Sequence, residues 1–88
     1  MAGAWFLYMI ECTDGSLYTG IAVDVKRRYA LHTAGKGARY TRSHPPVRLV
    51  AIIEYADRSA ASKAEHLVKK LNVAGKRELC RLHAPGES

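Results

Sequence analysis

Tyr8, Tyr18, Arg28, His32 and Glu65 are polar groups set where a purely structural chain has little use for them. Tyr8 interrupts an apolar run, and Tyr18 stands just before Thr19-Gly20. Arg28 and His32 are four residues apart, beside Val25 and Tyr29, so they share one helical face. Glu65 adjoins an apolar stripe, with Lys69 one turn further on. Each has an ordinary reading when taken alone. A strand tyrosine is usually core with its hydroxyl at the edge, and most charged residues are simply exposed. Glu65 and Lys69 could be a surface i,i+4 pair worth only about 0.3–0.5 kcal/mol. Together they fill the parts of phosphodiester hydrolysis. That reaction needs a positioned water with a proton acceptor, a cation on the phosphate and help for the leaving oxygen. Tyrosine and histidine can handle protons, a carboxylate can hold a divalent metal, and the planar fork of arginine binds two phosphate oxygens at once.

The elements that must position these groups come from a chain of 88 residues, enough for one domain with a small core. Its 48% hydrophobic and 25% charged residues are those of a globular protein rather than a disordered one. No run approaches the ~20 apolar residues of a membrane span, and the start lacks the marks of a signal peptide. A cytoplasmic protein with no membrane association is therefore expected. Its two cysteines, Cys12 and Cys80, would be reduced, half-buried small hydrophobes. Cys80 and His83 have ligand-like spacing but no second pair to complete a zinc site. The other three histidines, His44, His66 and His83, read as surface or loop residues.

The net charge of +6 is localised. Residues 24–48 carry seven basic side chains (Lys26, Arg27, Arg28, Lys36, Arg39, Arg42 and Arg48) against Asp24 alone, so the rest of the chain sums to zero. A solvated face would explain a generic basic run. Here Gly35, Gly37, Tyr29 and Tyr40 are interleaved with the charges. A flexible basic loop with aromatics suits a phosphate backbone and an occasional stacked base.

Residues 4–11 read as a buried strand, Thr13-Asp14-Gly15-Ser16 as a turn, and 17–23 as a second strand closing an antiparallel hairpin. Asp24 caps a helix over 25–33 that Gly35 ends. A loop over 35–46 leads through Pro45-Pro46 into a third strand over 47–55. Asp57 or Ser59 caps a second helix running to about Leu71, whose stripe is Ala60, Ala64, Leu67, Val68 and Leu71. Asn72 caps a last helix over about 73–82, and residues 84–88 should fray. The expected fold is α+β: a small three-stranded antiparallel sheet flanked by helices, in the order β-β-α-β-α-α, forming a single domain with its core over about 5–82. Sequence does not say which edge of the hairpin the third strand joins.

The pattern Tyr8, Tyr18-Thr19-Gly20, Arg28, His32 and Glu65 resembles the GIY-YIG endonuclease superfamily. It is most similar to the small single-domain bacterial members grouped as UPF0213. The likeness covers about residues 5–80. It includes Leu17-Tyr18-Thr19-Gly20-Ile21, the run Asp24 to Arg28 with His32, the segment Gly35 to Arg42, and Ala64-Glu65 through Lys69-Lys70-Leu71. The resemblance implies that Tyr8 and Tyr18 line the site and help position or deprotonate the attacking water. It implies that Arg28, eight residues after Gly20, steadies the scissile phosphate, and that a one-residue slip would exchange it with Arg27. His32 becomes a candidate general base. Glu65 becomes the sole protein ligand of one Mg²⁺ or Mn²⁺, an ion that keeps several waters and borrows substrate oxygens.

The first motif keeps only its tyrosine, in Phe6-Leu7-Tyr8, and Thr19 stands where the family's second motif has Ile. Asn72 and Lys76 fit the cap and basic position after the second helix, whereas Val73 and Gly75 depart from it. The expected activity is metal-dependent hydrolysis of DNA by water attack. Arg27, Lys36, Arg39, Tyr40, Arg42 and Lys69 would contact the nucleic acid. A module without a separate DNA-reading domain is expected to favour branched, flap or single-stranded DNA. Its alternatives are a non-catalytic nucleic-acid-binding protein on a nuclease fold, or a small adaptor within a DNA-processing complex. A protein partner or a homodimer is left open, as is the pathway, DNA repair included.

Overall fold

The computed structural model describes residues 3–86. Met1, Ala2, Glu87 and Ser88 lie outside the described residues, the last two belonging to the tail expected to fray. Two strands, β1 (Trp5–Cys12) and β2 (Leu17–Ala22), lead to helix α1 (Val25–Thr33) and a short helix α2 (Arg39–Ser43). Strand β3 (Pro46–Tyr55) follows, then α3 (Arg58–Lys69) and α4 (Val73–Leu82). The sheet is antiparallel throughout with order β2-β1-β3. The third strand thus joins the hairpin on the β1 side, and β1 is central.

Local chemistry explains the punctuation. Asp14 accepts from the Ser16 backbone N–H and hydroxyl, while Gly15 takes the left-handed φ of 83° that closes the hairpin. Asp24, Asp57 and Asn72 each cap a helix by accepting from the backbone N–H of the third residue on: Arg27, Ala60 and Gly75. Gly35, at φ 75°, turns the chain away after α1.

Because β1 is central, its alternate side chains serve two cores. Leu7 and Met9 join Ala51 and Val68 on the face covered by α3 and α4. Tyr8, Ile10 and Cys12 join Ala22 and Val25 on the other. Met9 faces Ala51 across β3 whereas Ile10 faces Leu49, so Val50 is an extra residue. That bulge allows Leu49 and Ile52 to pack into the same core, although simple alternation would separate them.

Three expectations are corrected. The stretch 35–46 is not all loop, since it contains α2. A five-residue helix shows no period, and Ala38 at its N-cap makes no side-chain bond to advertise it. The α3 stripe is also displaced. Ala61 and Val68 are buried, while Leu67 is 64% and Leu71 40% exposed. At about 100° per residue, Ala61, Ala64 and Val68 form one line down the helix, Leu67 lies on its flank, and Leu71 falls beyond the helix end at Lys69. The small Ala61 and Ala64 let α3 sit close to the sheet, and that rotation brings Glu65 to the sheet side, its side chain only 23% exposed. Both cysteines are free, with Cys12 fully buried rather than half-buried and Cys80 partly so. Among the described residues no cluster of three or more potential metal ligands occurs, and no helix is long and apolar enough to cross a membrane.

Candidate active site

Gly20 makes the site possible. It pairs with Tyr8 across β1 and β2, and a Cβ at Gly20 would fall 2.6 Å from the Tyr8 hydroxyl oxygen. Only a residue without a side chain lets the Tyr8 ring lie over β2. Tyr18, on the same face, faces Ile10 in register. The α1 helix directs Val25 and His32 inward and leaves Arg28 and Tyr29 half-buried, the face that its spacing requires.

The side chains meet as an aromatic triangle. Ring centroids lie 6.3 Å apart for Tyr8 and Tyr18, 5.8 Å for Tyr8 and His32, and 5.1 Å for Tyr18 and His32. The Tyr8 hydroxyl lies 2.8 Å from His32 Nε2, and His32 Nδ1 lies 2.6 Å from the Thr41 hydroxyl. Tyr8, His32 and Thr41 are each at most 2% exposed, so this polar chain runs through the core. Buried polar groups tolerate this only when paired.

Burial governs the titration of the two central groups. The Tyr8 phenol is pushed up to about 12 by burial and then by neighbouring Tyr18. Arg28 beside it pulls the other way, and Glu65 adds to the rise. Burial, followed by the Arg28 charge, holds the His32 imidazole below its ordinary 6.5. At neutral pH Tyr8 is therefore an intact phenol and His32 an uncharged proton acceptor. Arg28 acts on the ionisation of Tyr8 through a hydrogen bond and its charge, and Glu65 through its charge alone. Glu65 Oε2 is also 3.2 Å from Lys69 Nζ.

The structure thus brings Tyr8, Tyr18 and His32 into one triangle, with Arg28 in hydrogen-bond reach of Tyr8 and Glu65 acting on it by charge. Arg27 is exposed on α1, and only its backbone engages the Asp24 cap. Lys36, Arg39 and Arg42 are exposed without an acidic partner among the described residues, whereas Arg48 turns away to pair with Glu11. Tyr40 stacks near Tyr18 at 5.8 Å and lies almost parallel to His44 at 4.0 Å. An aromatic row therefore runs outward from the triangle. A cleft of about 290 Å³ beside it is lined by Leu17, Tyr18, Thr19, Tyr40, Lys69 and Lys76. A separate surface groove of about 830 Å³, on the outer side of α3, contains none of these groups.

Sequence reasoning missed Thr41, Gly37 and His44. A Cβ at Gly37 would come 2.2 Å from His32 Nδ1, so that glycine is a steric necessity rather than a source of flexibility. His44 is no bystander, for it stacks on Tyr40, and its Nδ1–H donates to the Tyr40 carbonyl at 2.9 Å. The available signal is the four-residue spacing of Tyr40 and His44, which a loop reading of the stretch hides.

The fold is that of a nuclease-type catalytic domain. The chain belongs to the GIY-YIG family, matching the GIY-YIG catalytic domain over residues 4–78. With that domain goes binding of DNA. Among relatives, a UPF0213 protein of Cupriavidus pinatubonensis is 50% identical, covering 86% of this chain and 84% of its own. The solution structure of a UPF0213 protein from Bacillus halodurans is 43% identical with a TM-score of 0.57, covering 90% of this chain and 84% of its own. A solution structure from E. faecalis is 30% identical with a TM-score of 0.61, covering 100% and 99%.

Proposed function

We propose that this chain is a metal-dependent endonuclease that hydrolyses DNA phosphodiesters by direct water attack, favouring branched, flap or single-stranded substrates. The observation that carries this reading is the 2.8 Å hydrogen bond between the Tyr8 phenol and an uncharged, buried His32, with Arg28 hydrogen-bonded to Tyr8 and the Glu65 charge felt there. Water is a poor nucleophile until it loses a proton. The Tyr8 oxygen takes the water's proton as its own passes to His32 Nε2, so no free phenolate has to form. The water oxygen bonds to phosphorus and the P–O bond to the leaving oxygen breaks. That oxygen leaves with a proton from solvent. The Arg28 guanidinium holds two phosphate oxygens while charge builds on them.

A hard, mostly hydrated cation suits the donor set. Glu65 offers a carboxylate whose charge reaches Tyr8, and no other carboxylate competes in a multi-ligand cluster among the described residues. Glu65 would hold Mg²⁺ or Mn²⁺, with water and phosphate oxygens completing the shell, and the ion would supply positive charge to the phosphate. Lys36, Arg39 and Arg42 would track the backbone, with Tyr40 available to stack a base.

One observation favours a second reading, a non-catalytic DNA-binding module: the Lys69 ammonium already neutralises Glu65. Cleavage of labelled single-stranded, flap, four-way and duplex DNA in Mg²⁺, Mn²⁺ or EDTA, beside Glu65→Ala, separates the two. The enzyme reading expects cutting that EDTA and Glu65→Ala both remove while DNA binding stays near normal. Wild-type cutting rates in Glu65→Ala would overturn the metal assignment. Salt-sensitive binding without any cutting would favour the binding module.

A further inference from the structure

We infer that Thr41 is a positioning residue that locks His32 in the Nδ1–H tautomer, leaving Nε2 bare toward the Tyr8 hydroxyl. The Thr41 hydroxyl lies 3.0 Å from the Ala38 carbonyl oxygen and 2.6 Å from His32 Nδ1. A carbonyl can only accept, so the single hydroxyl proton of Thr41 goes to Ala38. The Thr41 oxygen then meets Nδ1 with a lone pair, and Nδ1 must carry the hydrogen. A neutral imidazole has one N–H, so Nε2 is bare and the Tyr8 hydroxyl donates to it over 2.8 Å. All three bonds are made, each proton used once. The opposite tautomer sets a bare Nδ1 against Thr41. It keeps that contact only if the hydroxyl swings away from Ala38, so one bond is lost. It also puts the proton on Nε2, the nitrogen that has to accept one.

The surroundings are built for this contact. His32 is 1% exposed, so water does not substitute for Thr41 at Nδ1. Thr41 is the buried residue of α2. Gly37, whose Cβ would stand 2.2 Å from Nδ1, is what allows the chain leading to α2 to pass so close to the ring. The catalytic meaning of the tautomer rests on the nuclease reading, but the tautomer itself does not.

Long-range ¹H–¹⁵N NMR on the full chain at neutral pH reads it directly. Wild type and Thr41→Ser should show Nδ1–H, and Thr41→Val, which keeps the shape and removes the acceptor, should shift His32 toward Nε2–H. In cleavage assays Thr41→Val should lose about tenfold to a hundredfold in kcat, the usual scale for a lost supporting contact, with KM little changed and Thr41→Ser restoring the rate. An Nε2–H wild type, or Nδ1–H retained in Thr41→Val, overturns the inference. So does a tautomer shift with unchanged kcat. Should Thr41→Val not fold, the wild-type and Thr41→Ser spectra decide alone. A wild type that holds Nδ1–H but cuts nothing overturns the nuclease reading and leaves the Thr41 contact standing. Cutting with Nε2–H does the reverse.

Discussion

The central strand β1 feeds two cores that are equally dry and chemically unlike. Leu7 and Met9, both 0% exposed, meet hydrocarbon from Ala51 and Val68 under α3 and α4. One residue along, Tyr8 is 1% exposed and enters a hydrogen-bonded chain through His32 to Thr41 under α1 and α2. Apolar packing is non-directional and tolerates small shifts. A buried hydrogen-bond chain fails if any member moves, because an unpaired buried group costs about 1–3 kcal/mol. The first face supplies stability, and the second uses part of it to hold a hydrogen-bonded chain at fixed distances.

Truncating the apolar face should give the largest effect on stability. Leu7→Ala should cost about 2–5 kcal/mol through lost contacts and a cavity, read as a fall in urea midpoint at unchanged slope. The His32 tautomer and the cleavage rate per folded molecule should stay as in wild type. A changed tautomer would show that the two faces are mechanically coupled. On the polar face Tyr8→Phe removes one oxygen and leaves Nε2 of His32 unpaired. It should cost about 1–3 kcal/mol and lower cleavage by about a hundredfold or more, the scale of a lost proton-transfer group. Wild-type cleavage by Tyr8→Phe would remove the phenol from the mechanism.

The polar face alone should respond to mild acid. His32 titrates below 6.5 when folded and near 6.5 when unfolded, so in that window the unfolded chain binds more protons. The stability contributed by neutral His32 is fully present above 6.5 and is lost as pH falls through its folded value. Thermal unfolding of wild type from pH 8 to 5.5, compared with His32→Gln, should show this loss in wild type only. Parallel pH curves for the two would mean that His32 stays neutral or is charged in both states.

The two faces also differed in how far sequence revealed them. The hairpin, α1 and α4 were legible because their signals are local: Asp14-Gly15 for the turn, Asp24 and Asn72 for the caps. Tyr8, Tyr18, Arg28 and His32 stood out because strand alternation and helical spacing put them on shared faces. Alpha2 was not legible, since it is held by the non-local contact of Thr41 with His32 rather than by propensity. The rotation of α3 was hidden for a related reason. Hydrophobicity ranks Leu67 and Leu71 above Ala61, but the close approach to the sheet needs the smaller residue. The side of the hairpin chosen by β3 likewise depends on packing against α3 and α4.

The smallest expected effect tests the one flaw in the apolar face. Thr19 faces Met9 in register, and its hydroxyl is buried with no partner among the described residues. Thr19→Val keeps the branched shape, suits a strand and removes an unpaid desolvation cost. It should raise stability by about 1 kcal/mol, or roughly 4–8 °C in Tm for a domain of this size. Cleavage should be unchanged, because the side chain points away from Tyr8 and Tyr18. A loss of stability would mean that the hydroxyl is paired, for example through a bound water in the adjoining cleft, and that polar chemistry extends to both faces of β2. A loss of cleavage at unchanged stability would move Thr19 into the site and bring Lys69 and Lys76, which share that cleft, with it.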